Sequence, residues 1–326
     1  MKRAALVLSL LVAAGCSPKS DAPGALKLGF LVKQPDEPWF QLEWKFAEQA
    51  GKELGFELVK VGVPDGEKVL NAIDSLAVGG ARGFVICTPD VRLGPSIVRR
   101  AAQHGLKLIA VDDQFMAADG KPMTEVHYLG ISARKIGEMV GDALLAESKQ
   151  RGWALPDAAL CAVTYDELDT ARDRTDGATA RVLAGGLAKE RVFKAPQKTT
   201  DIPGGFEAMN TLLTQHPEIT RWLVCGLNDN AVLGAVRALE GRGRKAAEVI
   251  GIGINGTDCI AELEKAEATG FFGSVLLMPR QHGHDTATML YRWVKDGQEP
   301  PRDTRTAGVL IHRGNFRAVL TEQGIR

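Results

Sequence analysis

Residues 26–46 read LKLGFLVKQPDEPWFQLEWKF, and this stretch decides the fold. Residues 26–32 are an apolar run of strand length, and Lys33 to Glu37 break it with polar and turn-forming residues. An amphipathic helical pattern follows over 40–54, with Pro38 where a first helical turn accepts it, since its missing N–H has no helical partner to lose. The unit then repeats. Strands are expected at 56–63, 83–88 and 106–112, with helices at 67–78 and 93–104 between them. Apolar strands alternating with helices require an α/β fold, a parallel sheet covered on both faces. A strand near 125–132 and a helix to 149 complete the series.

The alternation then restarts. Strands are expected at 158–164, 192–195, 222–227, 249–254 and 273–277, and helices at 169–184, 205–215, 230–240 and 258–265. This predicts two doubly wound parallel-sheet lobes. A helix at 282–295 and a strand at 309–312 are left over, so the chain is expected to cross back between the lobes through hinge segments. The expected division is 26–131 with 279–306 for the N-terminal lobe, and 132–278 with 307–326 for the C-terminal one.

The start of the chain sets the compartment. Lys2 and Arg3 precede the apolar run 4–14, which is too short to span a bilayer and reads as a secretory signal over 1–16. Ala13-Ala14-Gly15-Cys16 resembles a lipobox, with Cys16 as the lipidated residue, although Ala13 stands where Leu is usual. Residues 17–25, rich in Ser, Pro, Lys, Asp and Gly, suit a flexible tether. Lysine plus arginine equals aspartate plus glutamate at 40 each, too balanced for a nucleic-acid partner. Cys87, Cys161 and Cys225 fall in separate apolar runs, so no obligatory disulfide is expected despite export.

Ligands of open parallel sheets lie beyond the carboxyl ends of the strands. Polar residues gather there: Lys33 and Glu37, Thr88 and Asp90, Asp112 and Asp113 in the first half, then Asp166, Asn228, Asp229, Asn255 and Asp258. A neutral sugar needs planar groups that bond adjacent hydroxyls together with an aromatic surface for its C–H face, which Trp39 and Phe40 supply. Each residue also has a local reading as a helix cap, turn or core aromatic. Their joint placement at strand ends favours a cleft between lobes.

The quoted stretch resembles the start of the mature L-arabinose-binding proteins. The resemblance continues through VPDGEK (63–68), NAIDSLA (71–77), GFVICTPD (83–90), IAVDDQF (109–115), ELDTAR (167–172), QHPE (215–218), VIGIGING (249–256) and ATGF (268–271), in order and with almost no change of length. It implies a type I periplasmic-binding-protein fold, a monomeric receptor without cofactor or catalytic residues, and delivery of a monosaccharide to an ABC permease and its ATPase. It also implies the sugar contacts: Lys33, Glu37, Trp39, Phe40, Asp112, Asp113, Arg174, Asn228, Asn255 and Asp258. Asp113 would face the anomeric hydroxyl and Arg174 the ring oxygen, with Cys87 and Thr170 close behind. The departures are apolar. Ile131 and Leu227 replace methionine and Leu277 replaces proline around the sugar's C5 substituent, leaving the choice among L-arabinose, D-fucose and D-galactose open.

Other readings fare less well. A sugar-responsive regulator would carry a helix-turn-helix where this chain has its leader. A glycosidase using Asp112 and Asp113 would need both carboxylates on one bond, whereas neighbours on a strand point apart. His282 and His284, two apart on a helix, do not face each other and read as surface residues, so no metal site is expected. A receptor feeding a chemotaxis or signalling protein is not separated from a transport component by sequence.

Overall fold

The computed structural model describes residues 25–326. The secretory leader, Cys16 and all of the tether but Ala25 lie outside them. The first lobe opens with β1 (Lys27–Val32), α1 (Pro38–Leu54), β2 (Glu57–Gly62) and α2 (Gly66–Val78). It continues through β3 (Ala81–Ile86), α3 (Gly94–Gln103), β4 (Lys107–Asp112) and β5 (His127–Ile131). After α4 (Ala133–Gln150) come β6 (Ala158–Thr164), α5 (Asp169–Ala184), β7 (Val192–Pro196) and α6 (Ile202–Gln215). Next are β8 (Arg221–Gly226), α7 (Asp229–Gly241), β9 (Val249–Asn255), α8 (Ile260–Leu263) and β10 (Phe271–Leu276). The chain ends with α9 (Thr286–Asp296), β11 (Asp303–Thr306), β12 (Val309–His312) and α10 (Phe316–Glu322).

Two six-stranded sheets result, ordered β11-β5-β4-β3-β1-β2 and β12-β10-β9-β8-β6-β7. The orders match strand for strand, so the second lobe repeats the first. The repeat breaks at its last member: β11 runs parallel to β5, whereas β12 runs antiparallel to β10. The chain passes between sheets after β5, after β10 and between β11 and β12. Central strands such as β6 are buried along their whole length, which is why they read as unbroken apolar runs rather than alternating ones.

Most differences from the sequence reading are at element ends. The expected helix at 258–265 shrinks to α8, with Asp258 left in the preceding turn. The expected helix at 282–295 begins as a π-helical turn, Gln281–Asp285, before becoming α9. Strand β11 was not anticipated, because DTRT carries no apolar alternation; neighbouring β5 supplies its register. Cys87, Cys161, Cys225 and Cys259 are buried free thiols. Cys161 and Cys225 lie on adjacent strands but one register apart, so they face opposite sides of the sheet.

Candidate functional site

In each sheet the order turns back at its oldest strand, β1 or β6, and the strand ends beside that point face the other lobe. A cavity of about 180 Å³ lies there. Lys33, Trp39, Phe40, Asp112 and Asp113 line its first bank. Ile131, at the end of β5, also belongs to the first bank, and Thr170, Arg174, Asn255 and Leu277 line the second. All ten were named from the sequence. Glu37 and Asp258 fall instead on an adjoining cavity of about 70 Å³ that shares Trp39 and Asn255. On the other side the cleft widens into a groove of about 720 Å³ sharing Asp112, Asp113 and Thr170.

Three of the named residues stand off the main cavity. Asn228 caps α7, its Oδ1 accepting from Ala231 N at 2.8 Å, and its Nδ2 donates to Thr200 O at 2.9 Å. Cys87 is wholly buried, its Sγ 3.6 Å from Asp113 Oδ2. Leu227 contributes its carbonyl, which accepts from Arg174 Nη1 at 2.6 Å. Of the other strand-end polar residues, Asp90 pairs with Arg92 and exposed Asp166 with Lys194.

The first bank is held by ion pairs and hydrogen bonds. Lys33 Nζ contacts Asp113 Oδ2 at 2.5 Å. Burial opposes the ammonium charge, but Asp113 and Asp112 outweigh it and hold the lysine pKa above its ordinary value. Burial likewise disfavours the Asp112 carboxylate, yet His282, Trp39 and Lys33 bring its pKa below the usual range. Its Oδ1 lies 2.6 Å from His282 Nδ1, and its Oδ2 accepts from Trp39 Nε1 at 3.2 Å. Trp39 packs against the buried clusters of both lobes, so its ring bridges them.

The strand-alternation argument fails at Asp112. Its φ of 64° is left-handed, a conformation that costs a non-glycine residue about 1–3 kcal/mol. Tyr128 supports it, donating its hydroxyl to Asp112 O at 2.6 Å. The alternation is broken there, and both adjacent carboxylates line one cavity.

The second bank is less satisfied. Arg174 sits on α5, which lies so close to α4 that a Cβ at Gly137 would overlap the Arg174 carbonyl. Burial pulls the guanidinium pKa down to about 10, with Asp113 and Asp229 partly opposing, so it stays charged at neutral pH. Its Nε has no hydrogen-bond partner among the described residues. Asn255, at φ 117°, donates to Asp258 Oδ2 at 3.3 Å.

The surface reading of His282 is overturned. The residue is fully buried beneath Asp112, while His284 turns outward to Glu53 at 2.8 Å. Beside His282 lies Glu43, equally buried and with neither carboxyl oxygen hydrogen-bonded among the described residues. Burial, then the charge of Asp112, push the Glu43 pKa well above its ordinary value, which disfavours its charged form. Sequence reasoning missed Glu43 although a signal existed: Phe40, Glu43, Trp44 and Ala47 fall on one helical stripe, an acid on an apolar face. Glu43, Asp112 and His282 bring potential metal ligands together. The 2.6 Å between His282 Nδ1 and Asp112 Oδ1 is a hydrogen bond, however, and tetrahedral zinc ligands on about 2.0–2.1 Å bonds stand well over 3 Å apart.

The cavity therefore balances Lys33 and Arg174 against Asp112 and Asp113, with donors and acceptors interleaved and Trp39 and Phe40 at one side. That suits an uncharged polyol with an apolar face.

The comparisons agree with this chemistry. The L-arabinose-binding periplasmic protein of Escherichia coli (strain K12) is 56% identical over 301 residues, 92% of each chain. The ABC transporter L-arabinose-binding periplasmic protein of Azospirillum brasilense is 49% identical, covering 99% of this chain and 96% of that one. Among solved structures, an arabinose binding protein from Geobacillus stearothermophilus shares the fold at a TM-score of 0.71 and 14% identity, covering 90% of this chain and 99% of that one. The family model for periplasmic binding proteins and the sugar binding domain of the LacI family matches residues 25–314, and the chain belongs to that family.

Proposed function

We propose that this protein is an exported receptor, not an enzyme, that captures L-arabinose between its lobes and delivers it to an ABC permease with its ATPase. The observation that carries the reading is the charge-balanced cavity shared by both lobes, in a chain 56% identical to a protein named for L-arabinose binding. Lys33, Asp112, Asp113, Arg174 and Asn255 would bond the hydroxyls and ring oxygen, and Trp39 would cover the C–H face. Glu37 and Asp258 would engage the sugar from the adjoining cavity. Contacts from both banks favour the closed arrangement, and the permease would read closure.

The expected lobe division, 26–131 with 279–306 and 132–278 with 307–326, is supported by β11 joining the first sheet and β12 the second. The periplasm is the working compartment, with the chain acting as a monomer. Tethering through a lipid on Cys16 rests on the lipobox-like stretch alone. A Cys16→Ser protein that is still processed and still partitions into membranes refutes it.

Calorimetry on residues 17–326 with L-arabinose and then D-galactose tests the central reading. Saturable binding of L-arabinose is expected. A folded sample that binds neither sugar overturns it.

A further inference from the structure

We infer that His282 is a positioning residue for sugar capture, fixing Asp112 and Trp39 in the cavity and tying them to the segments that cross between the lobes. The inference rests on the sugar-binding reading and assigns part of that site's geometry to a residue that does not line it.

His282 has no solvent exposure and uses both ring nitrogens. Nδ1 meets Asp112 Oδ1 at 2.6 Å, and Nε2 meets Thr306 Oγ1 at 2.9 Å. A carboxylate can only accept, so Nδ1 carries the hydrogen, and Nε2 shares a hydrogen bond with the threonine hydroxyl, which also reaches Gly130 O at 3.4 Å. Asp112 Oδ2 is taken by Trp39 Nε1 at 3.2 Å, and the Trp39 ring stands edge-on to the imidazole, centroids 5.2 Å apart. One imidazole thus sets the direction of a cavity carboxylate and, through it and by direct contact, the plane of the aromatic wall.

The far side of the ring reaches the hinge. Thr306 ends β11, immediately before the chain crosses to β12. Its carbonyl accepts from Ser132 N at 2.9 Å, where the chain leaves β5 for the second lobe. His282 follows closely on the crossing after β10, its backbone N–H donating to Met278 O at 3.3 Å. All three crossings therefore meet within one or two hydrogen bonds of this side chain.

The local backbone is arranged for the placement. Residues 281–285 form a π-helical turn, a costly irregularity that tends to occur at functional positions. Gly283 lets the turn press against α1, since a Cβ there would overlap the Glu43 carbonyl. That contact brings the Glu43 carboxyl to 3.7 Å from His282 Nδ1, beyond hydrogen-bond reach, so the ring's Nδ1 is left to Asp112 at 2.6 Å.

The test uses residues 17–326 carrying His282→Asn, His282→Gln, His282→Leu or Thr306→Val. Asparagine places an amide N–H near the Nδ1 position, glutamine reaches toward Thr306 instead, and leucine does neither. L-Arabinose affinity is expected to fall about 30-fold in His282→Leu and His282→Gln but only about threefold in His282→Asn, as for loss and rescue of a hydrogen bond to a charged group. Thr306→Val, which leaves the cavity wall untouched, is expected to weaken binding by about threefold to tenfold. A second readout needs no sugar. The Trp39 indole N–H resonance, identified with Trp39→Phe, should move in His282→Leu and return toward its original position in His282→Asn.

Equal losses in the asparagine and leucine variants, or an unmoved indole resonance in His282→Leu, would mean the histidine only fills space, and the inference falls. Unchanged binding in Thr306→Val removes its hinge half. If the unsubstituted protein does not bind L-arabinose, the proposed function fails, and the indole measurement decides the positioning role separately.

Discussion

Asp112 and Asp229, one carboxylate from each lobe near the cleft, are treated oppositely. Asp112, in the N-terminal lobe, is surrounded by His282, Trp39 and Lys33, and its pKa lies below the usual range despite burial. Asp229, in the C-terminal lobe, meets only neutral donors: Ser274 Oγ at 2.5 Å and Gly256 N at 2.9 Å. Burial dominates there and raises its pKa to about 7. The contrast extends to the banks they serve. The first is cross-linked by the Lys33–Asp113 and Asp112–His282 pairs, while the second presents Arg174 with no protein partner for its Nε among the described residues. One bank is built in advance, and the other has bonds still to make. Such an asymmetry suits a receptor in which sugar docks on a rigid half and the second half gains its missing partners on closing.

The largest test of this contrast is Arg174→Ala. Removing the under-satisfied guanidinium should lower L-arabinose affinity by about 10³-fold, through two charge-assisted bonds at about 1.5–3 kcal/mol each. Calorimetry reads this directly, and an unchanged affinity would place the sugar elsewhere. Next is Asp113→Asn, which dissolves the Lys33 pair on the prebuilt bank. About 10²-fold weaker binding is expected, with the dissociation rate in stopped-flow fluorescence carrying most of it. A change confined to thermal stability would mean that the pair only holds the fold together.

The third test concerns Asp229 and pH. Its folded pKa is raised, so between the unfolded carboxylate value and about 7 the native state binds more protons than the unfolded chain. Stability from this group is then greatest on the acid side and falls as pH rises toward 7. Urea denaturation at pH 5 and 8 should show the parent losing about 1–3 kcal/mol more than Asp229→Asn over that interval. Equal losses would mean that Asp229 is ionised in the fold and that the two carboxylates do not differ. The smallest effect is expected at the apolar wall. Ile131→Met and Leu277→Pro should shift the ratio of D-galactose to L-arabinose affinity by about tenfold, the lower end of the scale for a methylene-sized change in an apolar pocket. A larger shift would make the wall, rather than the charged banks, the main determinant of selectivity.

Much of this was legible in the chain itself. The two-lobed α/β alternation follows from apolar spacing, because strands buried on both faces and helices buried on one leave different periodicities. Of the ten cavity-lining residues, Lys33, Asp112, Asp113 and Asn255 follow from the rule that a parallel sheet sends its ligand contacts to the strand ends, with Trp39 and Phe40 beside them, whereas Ile131, Thr170, Arg174 and Leu277 were named only through the family resemblance. Asn228 was legible only in part: the same Asn-Asp pair reads as a helix cap or a sugar contact, and its side chain is occupied with capping. Strand β11 was illegible because an edge strand of polar residues takes its register from a neighbour rather than from its own pattern.

What spacing within a few tens of residues determined is therefore the two-lobed architecture and the polar residues at the strand ends, while Arg174 and the apolar wall were reached only through the family resemblance. Tertiary structure decided which polar groups are buried and how they are aimed. His282 and Asp112 are 170 positions apart, and nothing local marks either as the other's partner. The buried imidazole meets Asp112 and Glu43 only because the last crossings return β11 and the π-helical turn beneath the first sheet's strand ends. Hydrogen bonds and desolvation act through space. Periodicity reports which face of an element is buried, and only the packed fold reports what waits on the other side.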